Sequence, residues 1–295
     1  MGREFPFFSI IVPTRNRPEL LVACLHSMAM LEYPRDLFEI VVVVDGGTVP
    51  SGEQLASLHT MIDLTILTQS HAGPAVARNN GARHAKGEYF VFTDDDCVPM
   101  PDWLLKLAEG FLVYPDSVLG GRTINALLLN RYSAASHYLM EFLYTFYNPE
   151  PGKARFFASN NIALPAAVFQ AIGGFSAKYP RAGGEDRDFC RQLQQHGYRL
   201  VYVPEAIIRH AHDLTIAGFF WQQFNYGRGS CIFNRSAGGR RENNKTSPSL
   251  SFYVKLMTYP MMLGRDEKKA LLTLLFLLSQ TAVATGRLWE RLSGR

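Results

Sequence analysis

Short apolar runs alternate with amphipathic stretches through the first hundred residues of the chain. Residues 7–12 form an apolar run closed by Pro13-Thr14-Arg15-Asn16. A helical pattern follows, with Leu20, Leu21, Cys24, Leu25 and Met28 on one face. Residues 38–44 are a nearly uninterrupted β-branched run, the mark of a strand covered on both sides, and they end at Asp45-Gly46-Gly47. Residues 51–60 read as a helix and 64–67 as a third strand. Residues 73–85 read as a helix ended by Gly87, and 89–92 as a strand running into Asp94. This βαβαβαβ alternation predicts an α/β fold with a mostly parallel central sheet and helices on both faces.

Further along, residues 200–203 read as an apolar strand closed by a Pro204-Glu205 turn. Phe219, Phe220, Trp221, Phe224 and Tyr226 begin an aromatic helix. The stretch 227–249 is rich in Gly, Asn and Arg and reads as a long basic loop carrying Arg228, Arg235, Arg240, Arg241 and Lys245. Residues 250–264 and 267–292 then read as two helices.

The chain has 295 residues, enough for one large α/β domain or two small ones. A net charge of +4 is too mild to indicate nucleic acid, and no aromatic-and-basic RNA motif accompanies it. Cys24, Cys97, Cys190 and Cys231 are scattered without C-x-x-C spacing, which indicates neither a zinc site nor a disulfide framework. The first nine residues carry no signal-peptide or myristoylation pattern, so a reducing, cytoplasmic location is expected. Neither G-x-G-x-x-G after the first strand nor G-x-x-x-x-G-K-[ST] is present, which disfavours a dinucleotide cofactor and a P-loop.

The candidate chemistry centres on residues 88–97. An aromatic, β-branched strand ends in three consecutive carboxylates, Asp94, Asp95 and Asp96. Adjacent like charges at the end of an apolar strand repel, and partial desolvation raises that cost. A divalent cation is the simplest compensation. In extended chain Asp94 and Asp96 project to one side and Asp95 to the other. Mg²⁺ or Mn²⁺ held this way completes its shell with water and substrate phosphates. Three of the four early strands end in polar or charged residues, where open parallel sheets bind their ligands.

Taken together, SIIVPTRNRPELLVACLHSM, EIVVVVDGG, GPAVARNNGARHAKGEYFVFTDDDC, NNIALPAAVFQAIGGF, GGEDRDFCRQLQQHGYRLVYVPEAIIRH and FNYGRG resemble glycosyltransferase family 2, inverting enzymes of the GT-A fold. The matching segments fall in the family's order over roughly residues 7–230. The resemblance implies a catalytic domain over 1–213, with a nucleotide-binding half (1–100) and an acceptor half (101–213). The remainder, 214–295, becomes a basic loop and helical extension. It further implies a nucleotide-diphosphate sugar as donor and a divalent metal, Mn²⁺ or Mg²⁺. Pro13, Thr14 and Arg15, with Asp45, would lie against the nucleotide. Arg78 and Asn79 would lie near the diphosphate, with Asp94 and Asp95 beside them. Asp94 and Asp96 match the D-x-D metal ligands. A nucleoside diphosphate departs readily only when its charge is neutralised, which a bound cation does as a Lewis acid.

Glu185-Asp186 matches the family's "ED", which implies Asp186 as the general base and places Glu185 at the donor. An inverting transfer needs a carboxylate opposite the leaving group to take the acceptor hydroxyl's proton. By residue type alone, the same acids equally fit a helix N-terminal turn favoured by the dipole. Asp188 reads as a helix-surface charge. His210 matches the family's late histidine and is the favoured third metal ligand, with His212 two residues on sharing its side; imidazole beside carboxylates suits Mn²⁺. Asn161 falls where the family shapes its donor-sugar and acceptor pocket. Arg228 is expected on a lid over the phosphates, with a solvated basic loop as the other reading of that segment.

Departures narrow the expectation. Gly46 follows Asp45 where many members have a second Asp, and Pro165-Ala166 replaces a frequent Arg pair. The Q-x-x-R-W of processive synthases is replaced by Gln222-Gln223-Phe224-Asn225-Tyr226, so one sugar per encounter is expected, onto a hydroxyl of a glycan or lipid-linked acceptor in envelope or polysaccharide biosynthesis. The last helix is very apolar but interrupted at Thr273, Ser279, Gln280 and Thr281, short of the roughly 18 clean apolar residues of a span. It is expected either to pack on the catalytic domain or to lie in an anionic membrane interface flanked by Arg265, Lys268, Lys269, Arg287 and Arg291, holding the protein peripherally at the cytoplasmic face. A sugar-phosphate nucleotidyltransferase is the second enzyme reading, although its Gly-rich, Lys-containing first loop is missing. A non-catalytic nucleotide- or glycan-binding module is the third, and a degenerate site has little reason to keep Asp94, Asp96 and Asp186.

Overall fold

The computed structural model describes residues 5–150, 153–237, 249–263 and 269–293. Its sheet opens with the expected alternation: β1 (Phe8–Thr14), α1 (Pro18–Met28), β2 (Phe38–Asp45), α2 (Gly52–Met61), β3 (Asp63–Gln69), α3 (Pro74–His84) and β4 (Tyr89–Phe92). β1, β2 and β4 are almost wholly buried, as uninterrupted apolar runs between two helical layers should be. Next come β5 (Cys97–Pro99), α4 (Trp103–Val113), β6 (Val118–Asn125) and α5 (Arg131–Tyr147). The remainder is β7 (Ile162–Pro165), α6 (Ala166–Ile172), α7 (Glu185–Gln195), β8 (Leu200–His210), α8 (Ile216–Ala237), α9 (Leu250–Met262) and α10 (Lys269–Ser293).

Eight strands form one mixed sheet in the order β3-β2-β1-β4-β7-β6-β8-β5. The β1–β2, β1–β4, β2–β3 and β6–β8 pairs are parallel, while β7 runs antiparallel to β4 and β6, and β5 antiparallel to β8. Two apolar cores cover the sheet's faces. One is built around Trp103, Phe8 and Phe38, and the other around Phe157, Phe189 and Phe92.

Two local expectations are corrected. Pro204-Glu205 does not end a strand, because β8 continues to His210. The β6–β8 register passes from Gly121↔Val203 to Arg122↔Ile207, so Pro204, Glu205 and Ala206 bulge out of the ladder and then rejoin it. Proline has no N–H to give a ladder, and a bulge is where a sheet tolerates it. The second correction concerns 227–249. Residues 227–237 belong to α8, and the glycines that suggested a loop are instead places of close approach. A Cβ at Gly227 would stand 2.2 Å from the Val283 carbonyl oxygen, and one at Gly286 would stand 2.0 Å from that of Phe224. α8 and α10 therefore pack backbone to backbone, which only glycine permits. Arg240, Arg241 and Lys245, like Arg265 and Lys268, lie outside the described residues.

α8, α9 and α10 share a third apolar core with α5, through Phe142, Phe219, Phe252 and Phe276. α10 is long and apolar enough by length and composition to cross a membrane, contrary to what its polar interruptions suggested. Those polar residues are absorbed within the helix: Ser279 is buried and donates to the Phe276 carbonyl, and Thr273 donates to that of Lys269. One face of α10 is buried. The other exposes Leu271, Leu274, Leu277, Leu288 and Trp289.

Candidate active site

The acidic turn after β4 meets the end of β8 because of strand register. Cys97 of β5 pairs with His210 of β8, and the Ala211 N–H donates to the Asp96 carbonyl. Asp96 Oδ1 consequently lies 3.1 Å from His210 Nε2. Ligand atoms of Asp96, His210 and His212 all fall within 4.8 Å of one another. A carboxylate with two imidazoles is a donor set that suits a first-row divalent cation. Burial alone would raise the Asp96 carboxyl, but the hydrogen bond and charge of His210, with Arg17, hold it well below the usual carboxylate range. Burial depresses His210, yet Asp96 overrides this and raises it; burial lowers His212.

The three carboxylates face three different ways. Asp95 is fully buried, with Oδ2 accepting from Thr14 Oγ1 at 2.6 Å and Oδ1 2.6 Å from Arg17 Nη2. It is shut away from any ligand, so the expectation that it contacts the donor is corrected. Burial pushes its carboxyl up to about 7 against the pull of Arg17 and Thr14. Asp94 is paired with Arg78 Nη2 at 2.7 Å rather than with the histidines. Arg17 Nη1 takes Asp96 Oδ2 at 2.8 Å.

Arg78, on α3, is 4 % exposed, and its Nε and Nη1 find no hydrogen-bond partner among the described residues. Unmet donors on a buried guanidinium are costly unless an anion supplies acceptors. Glu185 lies 3.8 Å away, beyond hydrogen-bond reach, and spends Oε2 on the Gly183 N–H at 2.6 Å. Asp186 is the second residue of α7, after Gly183 and Gly184, both at positive φ (132° and 97°). Ser159 hydrogen-bonds the Asp186 carboxylate, while its Oδ1 has no partner among the described residues. Burial raises both Glu185 and Asp186, their mutual repulsion adds to the shift of Glu185, and Arg78 opposes both.

One cleft of about 880 Å³ joins these groups, lined by Arg17, Arg78, Asp94, Asp96, Asp186 and His210 among others. Several other expected residues are spent on the scaffold. Asp45 accepts from Gln69, His71 and the Ala72 and Gly73 N–H groups, two bonds to each oxygen, and so ties β2 to the start of α3. Pro13 is buried in the sheet opposite Val43. Arg15 is exposed at the rim, 3.1 Å from His71. Asn79 is consumed by Phe175, donating to its carbonyl and accepting from its N–H, and does not line the cleft. Asn161 is likewise locked to Trp103, Arg122 and Ala206, whereas its neighbours Ser159 and Asn160 line the cleft. Arg228 sits in α8, paired with Glu290 of α10 at 2.8 Å, rather than on a lid. Asp188 pairs with Arg191.

Arg17, Ser159 and Asn160 escaped sequence reasoning. For Arg17 a signal existed: a second arginine two residues after Arg15, at the carboxyl end of the first strand. Asn160 lies in the motif NNIALP and Ser159 just before it, but which side chain faces the cleft depends on a short turn at 159–161.

Comparison with known proteins bears on the fold that carries these residues. The profile of glycosyl transferase family 2 matches residues 9–173, and that of the N-terminal domain of galactosyltransferase matches 145–214. Glycosyltransferase AglE of Haloferax volcanii is 24% identical over 232 residues, 78% of this chain and 74% of the archaeal one. The pre-mycofactocin glycosyltransferase of Mycobacterium tuberculosis is 24% identical over 260 residues, covering 86% of this chain but 52% of that protein, so this chain spans about half its length. Among solved structures, the mannosyltransferase PcManGT from Pyrobaculum calidifontis, in complex with GDP-Man and Mn²⁺, aligns with a TM-score of 0.65 at 18% identity, over 97% of this chain and 88% of that one. Staphylococcus aureus TarS 1-349 in complex with UDP-GlcNAc aligns at 0.57 and 16% identity, over 97% and 92%. These structural likenesses establish the GT-A fold.

Proposed function

This chain belongs to glycosyl transferase family 2, and from that premise we propose that it is a metal-dependent inverting glycosyltransferase, moving one sugar from a nucleotide-diphosphate donor to a hydroxyl of a glycan or lipid-linked acceptor. The observation that carries the reading is one cleft holding a cation-suited donor set, an arginine with unmet donors and a carboxylate with an unpaired oxygen.

Asp96 and His210, with His212 beside them, are the residues that would hold the cation. When bound, it supplies Lewis-acid neutralisation of the departing diphosphate. Asp94 faces the same cleft and is held by Arg78. Arg78 gives its free N–H groups to diphosphate oxygens, in a dry setting where such bonds are strong. Asp186 Oδ1 takes the proton of the acceptor hydroxyl as it attacks the anomeric carbon, and Ser159 steadies that carboxylate. Burial makes Asp186 a stronger base than a solvated aspartate.

The apolar outer face of α10, with Lys269 and Arg291 near its ends, supports a contact with an anionic membrane surface and a place in envelope polysaccharide assembly.

A thermal-shift panel of nucleotide sugars with and without Mn²⁺ tests the reading, because a donor stabilises by binding only the folded state. One donor is expected to stabilise strongly with Mn²⁺ and weakly without it. Asp96→Ala should lose that metal-dependent increment, and Asp186→Ala should keep it while losing transfer. No stabilisation by any nucleotide sugar, or equal loss in both variants, would overturn the assignment.

A further inference from the structure

The cleft does not end at Asp186. It continues between α5, α8, α9 and α10, where Leu139, Leu143, Phe252 and Leu256 line it. Its two ends treat arginine differently. At the donor end, Arg17 and Arg78 are both paired with carboxylates. Beyond Asp186, Arg187 and Arg287 line the cleft without an acidic partner among the described residues. The Arg187 guanidinium lies over the rings of Phe233 (4.6 Å) and Tyr147 (5.5 Å). Arg287 donates to Ser230 Oγ at 2.8 Å and lies 3.4 Å from the Tyr253 hydroxyl. Ser230 and Phe233 are one turn apart on α8, so the two guanidinia contact neighbouring positions of one helix face. Arg122, on β6, is exposed on the cleft wall and also lacks an acidic partner among the described residues. The carboxylate of this region, Glu141, is hydrogen-bonded to Tyr259 instead.

Half-buried arginines held only by aromatic faces and hydroxyls retain forked donors that match an anion's oxygens. A phosphomonoester carries about −1.5 to −2 charge near neutrality, enough to answer two guanidinia where a carboxylate answers one. The apolar end of the same cleft, shared with helices whose outer faces expose Leu274, Leu277, Val254 and Met261, suits an alkyl or prenyl chain rather than more sugar.

We propose that this inner half of the cleft is the acceptor subsite, and that it takes an amphiphile bearing a phosphate group, which Arg187 and Arg287 hold with Arg122 at the wall. This rests on the glycosyltransfer reading only in calling the ligand an acceptor. The binding itself is tested separately.

Isothermal titration of the full chain with dodecyl phosphate, below its micelle concentration, is the direct measurement. Dodecyl maltoside, laurate and inorganic phosphate serve as neutral, carboxylate and tail-less controls, and phosphatidylcholine vesicles containing phosphatidic acid serve as the bilayer source of the same headgroup. Dodecyl phosphate is expected to bind at least about tenfold tighter than each soluble control, because charge-assisted bonds and tail burial act together. Arg287→Gln and Arg122→Gln should each weaken it by roughly tenfold, the loss expected of a charge-assisted bond, without changing the nucleotide and Mn²⁺ thermal shift. Equal binding of dodecyl maltoside or laurate, wild-type affinity in both variants, or binding to the vesicles alone would overturn the proposal. So would displacement of bound nucleotide by dodecyl phosphate, which would put the phosphate at Arg78. A protein that binds dodecyl phosphate but no nucleotide sugar would fail the glycosyltransfer reading and not this one.

Discussion

Arg17 grips Asp96 by the oxygen that His210 does not face: Nη1 lies 2.8 Å from Oδ2, while Oδ1 lies 3.1 Å from the imidazole. The same guanidinium reaches Asp95 Oδ1 through Nη2 at 2.6 Å. A fork spanning two neighbouring carboxylates fixes the rotation of Asp96 and leaves Oδ1 on the side of His210 and His212, where a cation would be shared. Outer partners of this kind orient a ligand without touching the metal.

Arg17→Ala is therefore expected to weaken Mn²⁺ binding by roughly 10- to 100-fold, the usual cost of losing an orienting partner. Arg17→Lys should recover part of the loss, since a point charge reaches one carboxylate but cannot bridge two. Manganese titration followed by electron paramagnetic resonance reads this directly. Tighter binding in Arg17→Ala would show the guanidinium to be a competitor of the cation instead.

Asp186→Asn keeps the shape and removes the base. Transfer should fall by about 10²- to 10⁴-fold while donor affinity holds. The pH behaviour follows from burial, which raises the folded-state value of Asp186 above its unfolded one. Only the ionised carboxylate accepts a proton, so activity should rise with pH through that raised value and not through the ordinary carboxylate range. Stability has the opposite sign. Below the unfolded value both states are protonated and no penalty exists; as pH rises the unfolded chain ionises first, and the folded state loses stability until its own group ionises. Asp186→Asn should thus melt above wild type at neutral pH and level with it in acid. A constant difference across the titration would rule out this origin.

Much of this site was legible in the chain, and the limits are physical. Three carboxylates after an apolar strand raise the expectation of a cation, but the extended chain assumed for them is not there: Asp95 and Asp96 lie in a turn, the Cys97 N–H donates to the Asp94 carbonyl, and Asp94 and Asp96 turn to different partners. What alternation cannot supply is which cation each carboxylate meets. Asp94 goes to Arg78 and Asp96 to His210 because α3 and β8 arrive from elsewhere in the chain. Asp45 and Asn161 stand in motifs that the sequence shows, yet their hydrogen-bonding capacity is taken up by side-chain and backbone groups that only the folded chain brings near. Composition misled at 227–237. Glycine disfavours an isolated helix, but here it lets α8 meet α10, a tertiary gain that local propensity does not record.

Gly229 links that helical extension to Asp186, the carboxylate proposed as base. A Cβ there would stand 1.7 Å from the Gly183 carbonyl oxygen, in the turn that leads into Asp186. Backbone cannot step aside as a side-chain tip can, so Gly229→Ala should shift the turn and cost about 1–3 kcal/mol of stability. The catalytic loss should exceed what that destabilisation explains, because a displacement of about 1 Å at a reacting group can cost roughly 10²-fold. Steady-state kinetics at a temperature where the variant is fully folded separates the two. A normal kcat with a lowered melting temperature would leave Gly229 a packing residue only.

The outer face of α10 makes the last test. Among the described residues, its exposed positions from Ala270 to Trp289 are Ala270, Leu271, Leu274, Leu277, Thr281, Ala284, Thr285, Leu288 and Trp289, without one charge. A solvent-facing helix normally reverses this pattern. Contiguous apolar surface of this kind marks a contact with protein or lipid, and Lys269 and Arg291 near the two ends of α10 give the patch a basic rim. Leu274→Glu with Leu277→Glu should therefore abolish binding to vesicles containing phosphatidylglycerol in a sedimentation assay. The same variant should keep the nucleotide and Mn²⁺ thermal shift, since neither residue lines the cleft. Added salt should weaken wild-type binding only in part: screening suppresses the rim's attraction beyond a Debye length, which shrinks from about 8–10 Å near physiological ionic strength to about 3 Å at 1 M, while the buried leucines hold. Complete release by salt alone would mean that charge carries the contact and the apolar stripe does not, and a wild-type protein that ignores vesicles but dimerises through the same leucines would assign the face to a second copy of the chain.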